Sequence, residues 1–566
     1  MKSGHAAVEF CSDLTPGVGQ TAARADGRAW RLEAEGAVWW LLGEAERYGA
    51  VAGSGAALRA FAAEAAEGKE RVERLCGNCA VVRRDAAGAL TVWTNLAGSQ
   101  HLYHLDDGAR RGLSTKAGWL YEKTGKKLDW EGLAGFFGLG FFPGDRTHVP
   151  TVKILRPATR HEFGPEGRLH RAERYWQWRH EPDRRRGEVE TIAEFGGRLR
   201  AVLEDETRDG RVALPLSGGL DSRTVAACLP DGAGIRSYGY GYTEDSIEIR
   251  IAKRVAEAVG LPFHGHVIRP YLFERMEEVA EATECFQDLT QARQADVAEW
   301  LGAEAEFVLA AHWGDVFCDD MGFPGTRGTE EEVLEHSLKK MRKKGRQWLL
   351  EQLVRPHLGE DPEEVVREAV RAELRRLPEI EDPDFRVKVL KTEQWAFRWT
   401  LASLRAYQLG AFPRIPFLDP RLVEFFCTVP TEMVRGRRLQ IEYLKRHAPR
   451  VARIEWQPYE ADLYAYPWSP LWMKPVRAWR KLRRAARGEK VIERNWEVQF
   501  FSPGGWERLQ GRLLGKGLVL HELVAPAKIR DLLEEFRRSP DGANGYTVSM
   551  LLTFSVWLER WHGATV

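Results

Sequence analysis

The sequence predicts an α/β protein with a β-rich N-terminal part and a C-terminal part built on a parallel sheet. Short apolar runs separated by glycine-containing turns occupy residues 1 to about 178. From about residue 190, strand-like and helix-like segments alternate, and the remainder to about 561 is mainly helical. Strands that alternate with helices are typical of a parallel sheet with helices on both faces.

Length and charge narrow the class of protein further. A chain of 566 residues is too long for one ordinary core, so we expect at least two domains. Lysine plus arginine (83) nearly cancels aspartate plus glutamate (82), leaving a net charge of +1 that does not favour a nucleic-acid partner. No signal peptide or long apolar run is present, so we expect a cytoplasmic protein with no membrane partner.

The N-terminal part contains strand candidates at Ala37–Leu42 and Leu90–Trp93. Residues His180–Glu188 contain a proline and three consecutive arginines, which is typical of a linker. We therefore expect one domain at residues 1–180 and a second at residues 190–566.

The C-terminal part begins with helical spacing at Thr191–Asp209, followed by a buried strand at Val212–Leu216. Later segments alternate in the same way. The further strand candidates are Ile235–Tyr240, Phe263–Ile268 and Phe307–Ala311, and the helix candidates are Ser246–Val259, Ala292–Gly302 and the closing Thr547–Trp561.

One motif follows the first of these strands directly. The sequence Ser-Gly-Gly-Leu-Asp-Ser at Ser217–Ser222 opens a helix at Arg223–Leu229. Two glycines let backbone N–H groups approach an oxyanion, and the helix N-terminus adds positive potential. Asp221 would repel a bare phosphate, so its presence suggests a bridging divalent cation.

This motif resembles the PP-loop of the ATP pyrophosphatases, which cleave ATP between its α and β phosphates. It is not a Walker loop, because no Gly-Lys-[Ser/Thr] follows. The resemblance implies ATP and Mg2+ as cofactors. The residues that it places around the nucleotide are Leu216, Ser217, Gly218, Gly219, Leu220, Asp221 and Ser222.

Within that superfamily the chain resembles asparagine synthetases. His312-Trp313-Gly314-Asp315 is similar to their second acidic motif, which implies that Gly314 lies at the nucleotide and that Asp315 joins Asp221 in holding Mg2+. The edge of the second strand, which ends at Tyr240, would hold adenine. Arg414–Glu424 resembles the segment that forms the far wall of the synthetase cleft, where Arg414 and Asp419 would pair as a structural unit or face the substrate.

Two residues are candidates for catalysis by this resemblance. His312 stands where relatives place a glutamate or tyrosine, and an imidazole there would take a proton from an attacking amine. A histidine satisfied at the end of a strand is the structural alternative. Relatives also carry a catalytic lysine downstream, but Val451–Asp462 contains none, so Lys445 is the nearest candidate for the catalytic cation.

The N-terminal part resembles the glutaminase-like (Ntn-type) sandwich domain of the same family. Leu96–Tyr103, Ser114–Lys116 and Ile154–Pro157 are similar to segments of that domain. Three positions depart from it. The chain begins Met1-Lys2-Ser3-Gly4 without the nucleophilic cysteine, and Cys11 lies too far along the chain to have a free α-amine. Thr94-Asn95 replaces the usual Arg-Asp, and Leu42-Gly43-Glu44 replaces the usual Asn-Gly-Glu. We therefore expect no glutaminase activity.

These features predict an AMP-forming carbon–nitrogen ligase that adenylates a small-molecule or peptide carboxylate and couples it to an amine. Lasso-type macrolactam or other specialised amide synthesis is favoured, with partner proteins of a peptide pathway. The alternatives are ammonia-dependent amidation in a polysaccharide or specialised pathway, and a non-catalytic ATP-binding subunit. A tRNA-modifying PP-loop enzyme is disfavoured, because the Cys76-Gly-Asn-Cys79 pair lies in the other domain and the net charge is only +1.

Overall fold

The computed structural model describes residues 7–15, 24–125, 127–231, 234–468 and 494–563. Its strands are β1 Val8–Asp13, β2 Arg24–Gly27, β3 Ala29–Ala34, β4 Ala37–Tyr48, β5 Val51–Ala52, β6 Leu75–Asp85, β7 Leu90–Thr94, β8 Tyr103–Asp106, β9 Arg111–Ser114, β10 Val152–Ile154, β11 Thr159–Phe163, β12 Leu169–Arg174, β13 Val212–Pro215, β14 Arg236–Gly241, β15 Phe263–Val267, β16 Phe307–Leu309 and β17 Phe412–Arg414.

The helices follow the same division of the chain. The α-helices are α1 Ser54–Ala66, α2 Ala117–Tyr121, α3 Trp130–Leu139, α4 Glu188–Glu206, α5 Asp221–Cys228, α6 Ile247–Val259, α7 Met276–Thr283, α8 Gln294–Glu304, α9 Gly314–Phe317, α10 Glu330–Met341, α11 Arg346–Leu349, α12 Pro362–Arg375, α13 Pro383–Lys391, α14 Leu401–Leu404, α15 Pro420–Phe426, α16 Thr431–Val434, α17 Arg438–His447, α18 Pro449–Ala452, α19 Asn495–Phe501, α20 Gly505–Leu514, α21 Leu520–Leu523, α22 Pro526–Arg538 and α23 Gly542–Trp557. A π-helical segment at Thr392–Thr400 continues α13 without a break.

Two antiparallel sheets form the N-terminal part. One has the order β10-β8-β9-β1-β2, and the other has the order β12-β11-β7-β6-β4-β3 with β5 paired to β4. Successive residues of β4 point to opposite faces. The ring of Trp40 meets Phe10 of the first sheet at 5.6 Å, whereas Trp39 packs on Phe61 of α1 at 6.5 Å. The larger sheet is therefore covered on both faces.

A parallel sheet of order β15-β14-β13-β16-β17 forms the base of the C-terminal part. Strand β13 has strands on both sides, and its residues Val212, Ala213 and Leu214 are buried. Central parallel strands that are covered on both faces consist of such continuous apolar runs. The molecule is thus a mixed α/β protein with antiparallel sheets first and a parallel sheet after them.

Most predicted elements of the parallel sheet are present within a few residues of their expected limits. One strand of the sheet, β17, was not predicted. It has only three residues and includes Pro413, so the sequence did not indicate it. It pairs with β16 alone, and such an edge position tolerates a residue without a backbone N–H. The closing helix starts at Gly542 rather than Thr547, because the Asp541 carboxylate caps it by accepting from the N–H groups of Ala543 and Asn544.

The two parts of the molecule share one continuous hydrophobic core. At their junction the guanidinium of Arg28 lies 4.5 Å from the ring of Phe307 and 5.5 Å from that of Phe412. The side chain of Asn78 donates to the carbonyl of Pro413 at 3.3 Å. The N-terminal sheet thus abuts the edge of the parallel sheet. None of the helices in the described residues has both the length and the apolar content needed to cross a bilayer.

Candidate functional site

The carboxyl ends of the parallel strands bring the two sequence motifs together. β14 and β15 lie on one side of β13, and β16 and β17 lie on the other, so the strand order reverses direction at β13. In open α/β sheets, the crevice outside the carboxyl ends at such a point is where ligands bind. Ser217–Ser222 follows β13 and His312–Asp315 follows β16, so the motifs flank this crevice.

Serine hydroxyls shape the loop between β13 and α5. The backbone N–H of Ser217 donates to the Ser222 Oγ at 3.2 Å, and the N–H of Gly219 donates to the Ser217 Oγ at 3.3 Å. Leu216 and Leu220, which flank the turn, are buried. The first-turn N–H groups of α5 have no partner within the helix and carry its positive dipole end, which suits an anion.

The two glycines of the loop face different surroundings. A Cβ at Gly218 would lie 2.4 Å from the Gln457 Oε1, and the Gly218 carbonyl accepts from the Gln457 N–H at 3.2 Å. A Cβ at Gly219 would meet only a serine Oγ of the same loop at 3.4 Å. The buried Arg223 fixes the segment before Gln457 by donating to the carbonyls of residues 454 and 455, each at 2.8 Å. Gly218 therefore serves packing, whereas Gly219 leaves the outer side of the loop open.

Two carboxylates lie at one end of the crevice. Asp221 is the first residue of α5, and the exposed Asp315 is on the short helix α9. A Cβ at Gly314 would lie 2.7 Å from the Asp221 Oδ1, so glycine is required for this approach. Burial raises the pKa of Asp221 to about 6; Arg437 opposes the rise and Asp315 adds to it.

This pair fits a magnesium ion that is shared with a nucleotide. Mg2+ is commonly held by one or two carboxylates together with phosphate oxygens and water. No group of three or more His, Cys, Asp or Glu side chains suited to a metal exists in the part of the chain that the structure describes. A cation bound here would therefore depend on Asp221, Asp315 and the ligand.

Arg437 and Gln440 approach Asp221 from the start of α17. An Nη of Arg437 pairs with the Asp221 Oδ1, and the Gln440 Nε2 donates to the same oxygen at 3.1 Å. Arg437 has a left-handed backbone with φ 66°, a conformation that non-glycine residues adopt rarely. The sequence analysis did not find these two residues, because no motif links their segment to Asp221.

His312 lies half-buried at the carboxyl end of β16. Burial lowers the pKa of His312 to about 4; Asp315 opposes this shift and Arg293 adds to it. The imidazole is therefore neutral at pH 7. Its ring nitrogens make no hydrogen bond to any other described residue. The alternative of a purely structural histidine would need such a hydrogen bond at the strand end, and the described residues do not provide one.

Trp313 connects this motif to the π-helical segment. Its backbone is left-handed with φ 77°, which is strained for a bulky residue. Its Nε1 donates to the Thr392 Oγ1 at 3.0 Å, and the Nζ of Lys391 lies 5.6 Å from its ring. Burial lowers the pKa of Lys391, while Asp315 opposes the shift. Lys391 is therefore a half-buried cation that interacts electrostatically with Asp315 without forming an ion pair with it, and no sequence motif pointed to it.

Tyr240 lies near the carboxyl end of β14, on the other side of the loop. The guanidinium of Arg293 lies 5.6 Å from the centre of its ring. Arg293 also lowers the pKa of His312, which, like Tyr240, lies near the carboxyl end of a strand of the parallel sheet.

Lys445 is not brought to this site. Its Nζ pairs with the Glu442 Oε1 at 3.0 Å and lies 5.6 Å from the ring of Tyr464. On α17 it follows Gln440 by five residues, which places it roughly 140° around the helix from the side chain that contacts Asp221. Its catalytic role remains a prediction without a contact to support it.

Arg414 and Asp419 do not pair with each other. The buried Arg414 donates to the carbonyl of Glu206 and lies 3.3 Å from the centre of the Phe307 ring. Asp419 instead binds Arg421 through both oxygens, at 2.8 and 2.9 Å. Both side chains therefore stabilise the wall of the crevice.

The N-terminal positions that depart from the glutaminase pattern have structural contacts. Cys11 lies inside β1, so its backbone nitrogen is an amide, and its Sγ is 3.2 Å from the Ser114 Oγ. Asn95 donates to the carbonyl of Gly77 at 2.7 Å and also accepts from a backbone N–H within its own turn. Glu44 pairs with Arg28. None of these contacts leaves a thiol beside a free amine.

Comparison with known proteins gives one family. Residues 198–306 match the family model described as asparagine synthase. The matched segment includes the Ser217–Ser222 loop and strands β13 to β15, and it ends before His312–Asp315. No curated protein matches the chain. Over these residues the chain is similar to asparagine synthases, which supports its identification as an asparagine-synthetase-like protein.

Proposed function

We propose that the protein is an AMP-forming carbon–nitrogen ligase, which activates a carboxylate as its adenylate and transfers the acyl group to an amine. The asparagine synthase domain indicates ATP-dependent ligase or amidotransferase-type chemistry. One observation supports the finer proposal. The Ser217–Ser222 loop lies at the strand-order reversal, with Asp221 directly against the motif that carries Asp315.

In this proposal ATP places its phosphates on the outer side of the loop, where Gly219 leaves space and the start of α5 offers N–H groups. Asp221 and Asp315 would hold Mg2+, which when bound neutralises charge on the leaving pyrophosphate. A substrate carboxylate oxygen attacks the α-phosphorus, the bond between the α and β phosphates breaks, and pyrophosphate leaves. Tyr240 would lie beside the adenine.

The second step joins the acyl group to nitrogen. The amine attacks the carbonyl carbon of the acyl-adenylate, and the bond from that carbon to the AMP oxygen breaks. His312 is neutral and has a free ring nitrogen, so it would accept the proton that the amine loses. AMP leaves as the other product.

A cation is needed where negative charge develops on the acyl oxygen. Lys391 and Arg437 are the candidates that the crevice offers, since each acts on one of the two carboxylates. We assign this role to Lys391, because the guanidinium of Arg437 already pairs with Asp221. Lys445 would require a large rearrangement of α17 to take it.

We further propose that the nitrogen does not come from glutamine. Cys11 is inside a strand, and Glu44 and Asn95 are engaged in structural contacts. An amine of the substrate itself, giving a macrolactam or another specialised amide, is then the favoured acceptor. Free ammonia is the alternative acceptor, and an ATP-binding subunit without turnover is the alternative to catalysis.

Trapping of the acyl-adenylate tests this proposal. The protein is incubated with Mg·ATP, hydroxylamine and a panel of amino acids, glycans and short peptides. A hydroxamate formed from one carboxylate together with AMP is expected. ATP binding without AMP release across peptide and small-molecule carboxylates would favour the non-catalytic subunit instead.

A further inference from the structure

A second cavity lies between the two parts of the molecule, apart from the crevice. Its walls come from β11 and β12 of the N-terminal sheet and from the π-helical segment Thr392–Thr400. Its volume of about 210 Å3 far exceeds the roughly 10–15 Å3 that one water requires. None of its lining residues belongs to the Ser217–Ser222 loop or to His312–Asp315.

Three guanidinium groups line this cavity. Arg156 is satisfied by Glu373, with both Nη atoms bound at 2.8 and 2.9 Å, and one of its Nη atoms also lies 3.7 Å from the Asp145 Oδ2. Arg174 pairs with Glu393, which also lines the cavity. Arg376 is exposed and makes no ion pair with another described residue. Arg376 is therefore the guanidinium of this lining that has no carboxylate partner among the described residues, and an anion of single charge would neutralise it.

The lining of the cavity also includes a buried acceptor that has no partner among the described residues. His161 is 3% exposed, and its Nε2 lies 3.4 Å from the carbonyl of Arg156. Burial lowers the pKa of His161 to about 4, so the ring is neutral, and a proton on Nε2 leaves Nδ1 as a lone-pair acceptor. The Nδ1 is buried and has no partner among the described residues. A buried acceptor without a partner destabilises the folded protein, and a bound donor would relieve that cost.

We propose that this cavity binds a small monocarboxylate that also carries a hydroxyl or amino donor. The carboxylate would bind Arg376, whose planar fork matches its two oxygens. The donor would bind the Nδ1 of His161. A carboxylate fits better than a phosphate dianion, because one guanidinium of the lining, that of Arg376, lacks a carboxylate partner among the described residues. The proposal does not depend on the reaction in the crevice.

Binding of defined probes to the full chain tests the site without reference to turnover. Lactate, glycolate, serine and glycine carry both groups, whereas propionate lacks the donor and inorganic phosphate lacks the carboxylate. Calorimetry is expected to show that at least one of the first four binds about tenfold or more tightly than propionate, which is the value of one hydrogen bond of about 1.4 kcal/mol. The same probe is also expected to bind more tightly than inorganic phosphate.

Two variants locate the ligand. Arg376→Gln should weaken that binding by about tenfold or more, and His161→Phe should abolish the preference over propionate. Arg375→Gln is the matched control, because Arg375 is the exposed neighbour that pairs with Glu330 outside the cavity. Binding that is equal for Arg376→Gln and wild type, a preference for phosphate, or no binding by any of the four probes would overturn the proposal. Thermal unfolding confirms that both variants fold.

Discussion

At the residue scale, the two charged neighbours of Asp221, Arg437 and Asp315, determine how readily its carboxylate would bind a cation. Arg437 pairs with its Oδ1, while Asp315 and burial raise its pKa to about 6. A carboxylate in that environment gains from any cation that reaches it, because two like charges are otherwise held close together. We therefore expect that a magnesium nucleotide displaces part of the contact with Arg437.

Asp221→Asn removes the charge and keeps the shape of the side chain. We expect pyrophosphate release to fall by about 100-fold or more while thermal unfolding changes little, since electrostatic stabilisation by one polar group is worth about that much. The measurement is pyrophosphate release under saturating Mg·ATP. Asp320→Asn is the control, because Asp320 pairs with Arg435 instead. Undiminished turnover of the Asp221 variant would contradict the magnesium assignment.

Lys391→Met tests the proposed cation. The side chain keeps its length and its packing against Trp313 and Trp395, but the positive charge that interacts with Asp315 is lost. We expect kcat to fall by about tenfold to 100-fold, with ATP affinity nearly unchanged, because the charge acts on the acyl step. Lys391→Arg should recover part of the rate. Wild-type kcat in the methionine variant would remove Lys391 from the mechanism.

The sequence could assign residues to a common site only where they belong to the two short motifs. Asp221, Gly314 and Asp315 belong to two such segments, and the parallel sheet brings these together. Arg437 and Lys391 come from helices whose orientation depends on tertiary packing, so no spacing could indicate them. Lys445 was chosen because it is close along the chain, and the turn of α17 directs it away.

At the scale of elements, the loop between β13 and α5 depends on its contact with the segment around Gln457. The absence of a side chain at Gly218 lets Gln457 approach the loop, and Arg223 holds the segment before Gln457 through two hydrogen bonds to its carbonyls. Because Gly219 faces open space, the two adjacent glycines have separate roles. The first is required for packing, and in the proposed function the second gives access to the nucleotide.

Alanine at each glycine distinguishes these roles. Gly218→Ala would place Cβ 2.4 Å from the Gln457 Oε1, so we expect lower thermal stability by about 1–3 kcal/mol together with weaker ATP binding. Gly219→Ala meets nothing closer than 3.4 Å, so stability should stay near wild type while ATP affinity falls. Thermal unfolding and ATP titration provide both readouts. The prediction fails if both variants lose stability equally, or if Gly219→Ala binds ATP like wild type.

The elements themselves were largely predictable, and the reason lies in their periodicity. β13 and β16 include buried apolar runs, and α6 starts after a serine that accepts from a backbone N–H, which is a local capping signal. β17 has no such signal. Its three residues form a strand because they pair with the edge of β16, and this pairing depends on the tertiary structure.

At the scale of the whole molecule, buried charges join the two parts. Glu46 of the N-terminal sheet lies 3.5 Å from Arg414 of the crevice wall, and both are almost inaccessible to solvent. Burial raises the pKa of Glu46 to about 7, although Arg414 opposes the shift. The sequence analysis placed Arg414 in the wall but did not find this partner, because Glu46 is more than 360 residues earlier in the chain.

This pair makes stability depend on pH. The folded protein holds a proton on Glu46 up to about pH 7, whereas the unfolded chain releases it near 4.5. The contribution of Glu46 is therefore present below pH 4.5 and is lost as the pH rises through 7, by up to about 3 kcal/mol. His104 has the opposite sign, since its pKa is lowered to about 4, so a difference between variants is needed.

Glu46→Gln isolates this contribution. Relative to wild type, the variant should become progressively more stable between pH 5 and pH 8, because glutamine does not ionise. Urea unfolding at four pH values measures the difference. Glu33→Gln, an exposed glutamate on β3, is the control and should show no such trend. A difference between wild type and Glu46→Gln that stays constant with pH would refute the assignment.

The central claim is that a carboxylate attacks the α-phosphorus of ATP. The most direct measurement uses the carboxylate identified by hydroxamate trapping, with 18O in both carboxylate oxygens, and mass spectrometry of the nucleotide product. Transfer of one 18O atom to AMP is predicted, because the carboxylate oxygen that forms the bond to phosphorus stays there when the amine attacks the carbonyl. Unlabelled AMP, or ADP with 18O in inorganic phosphate, would contradict the account.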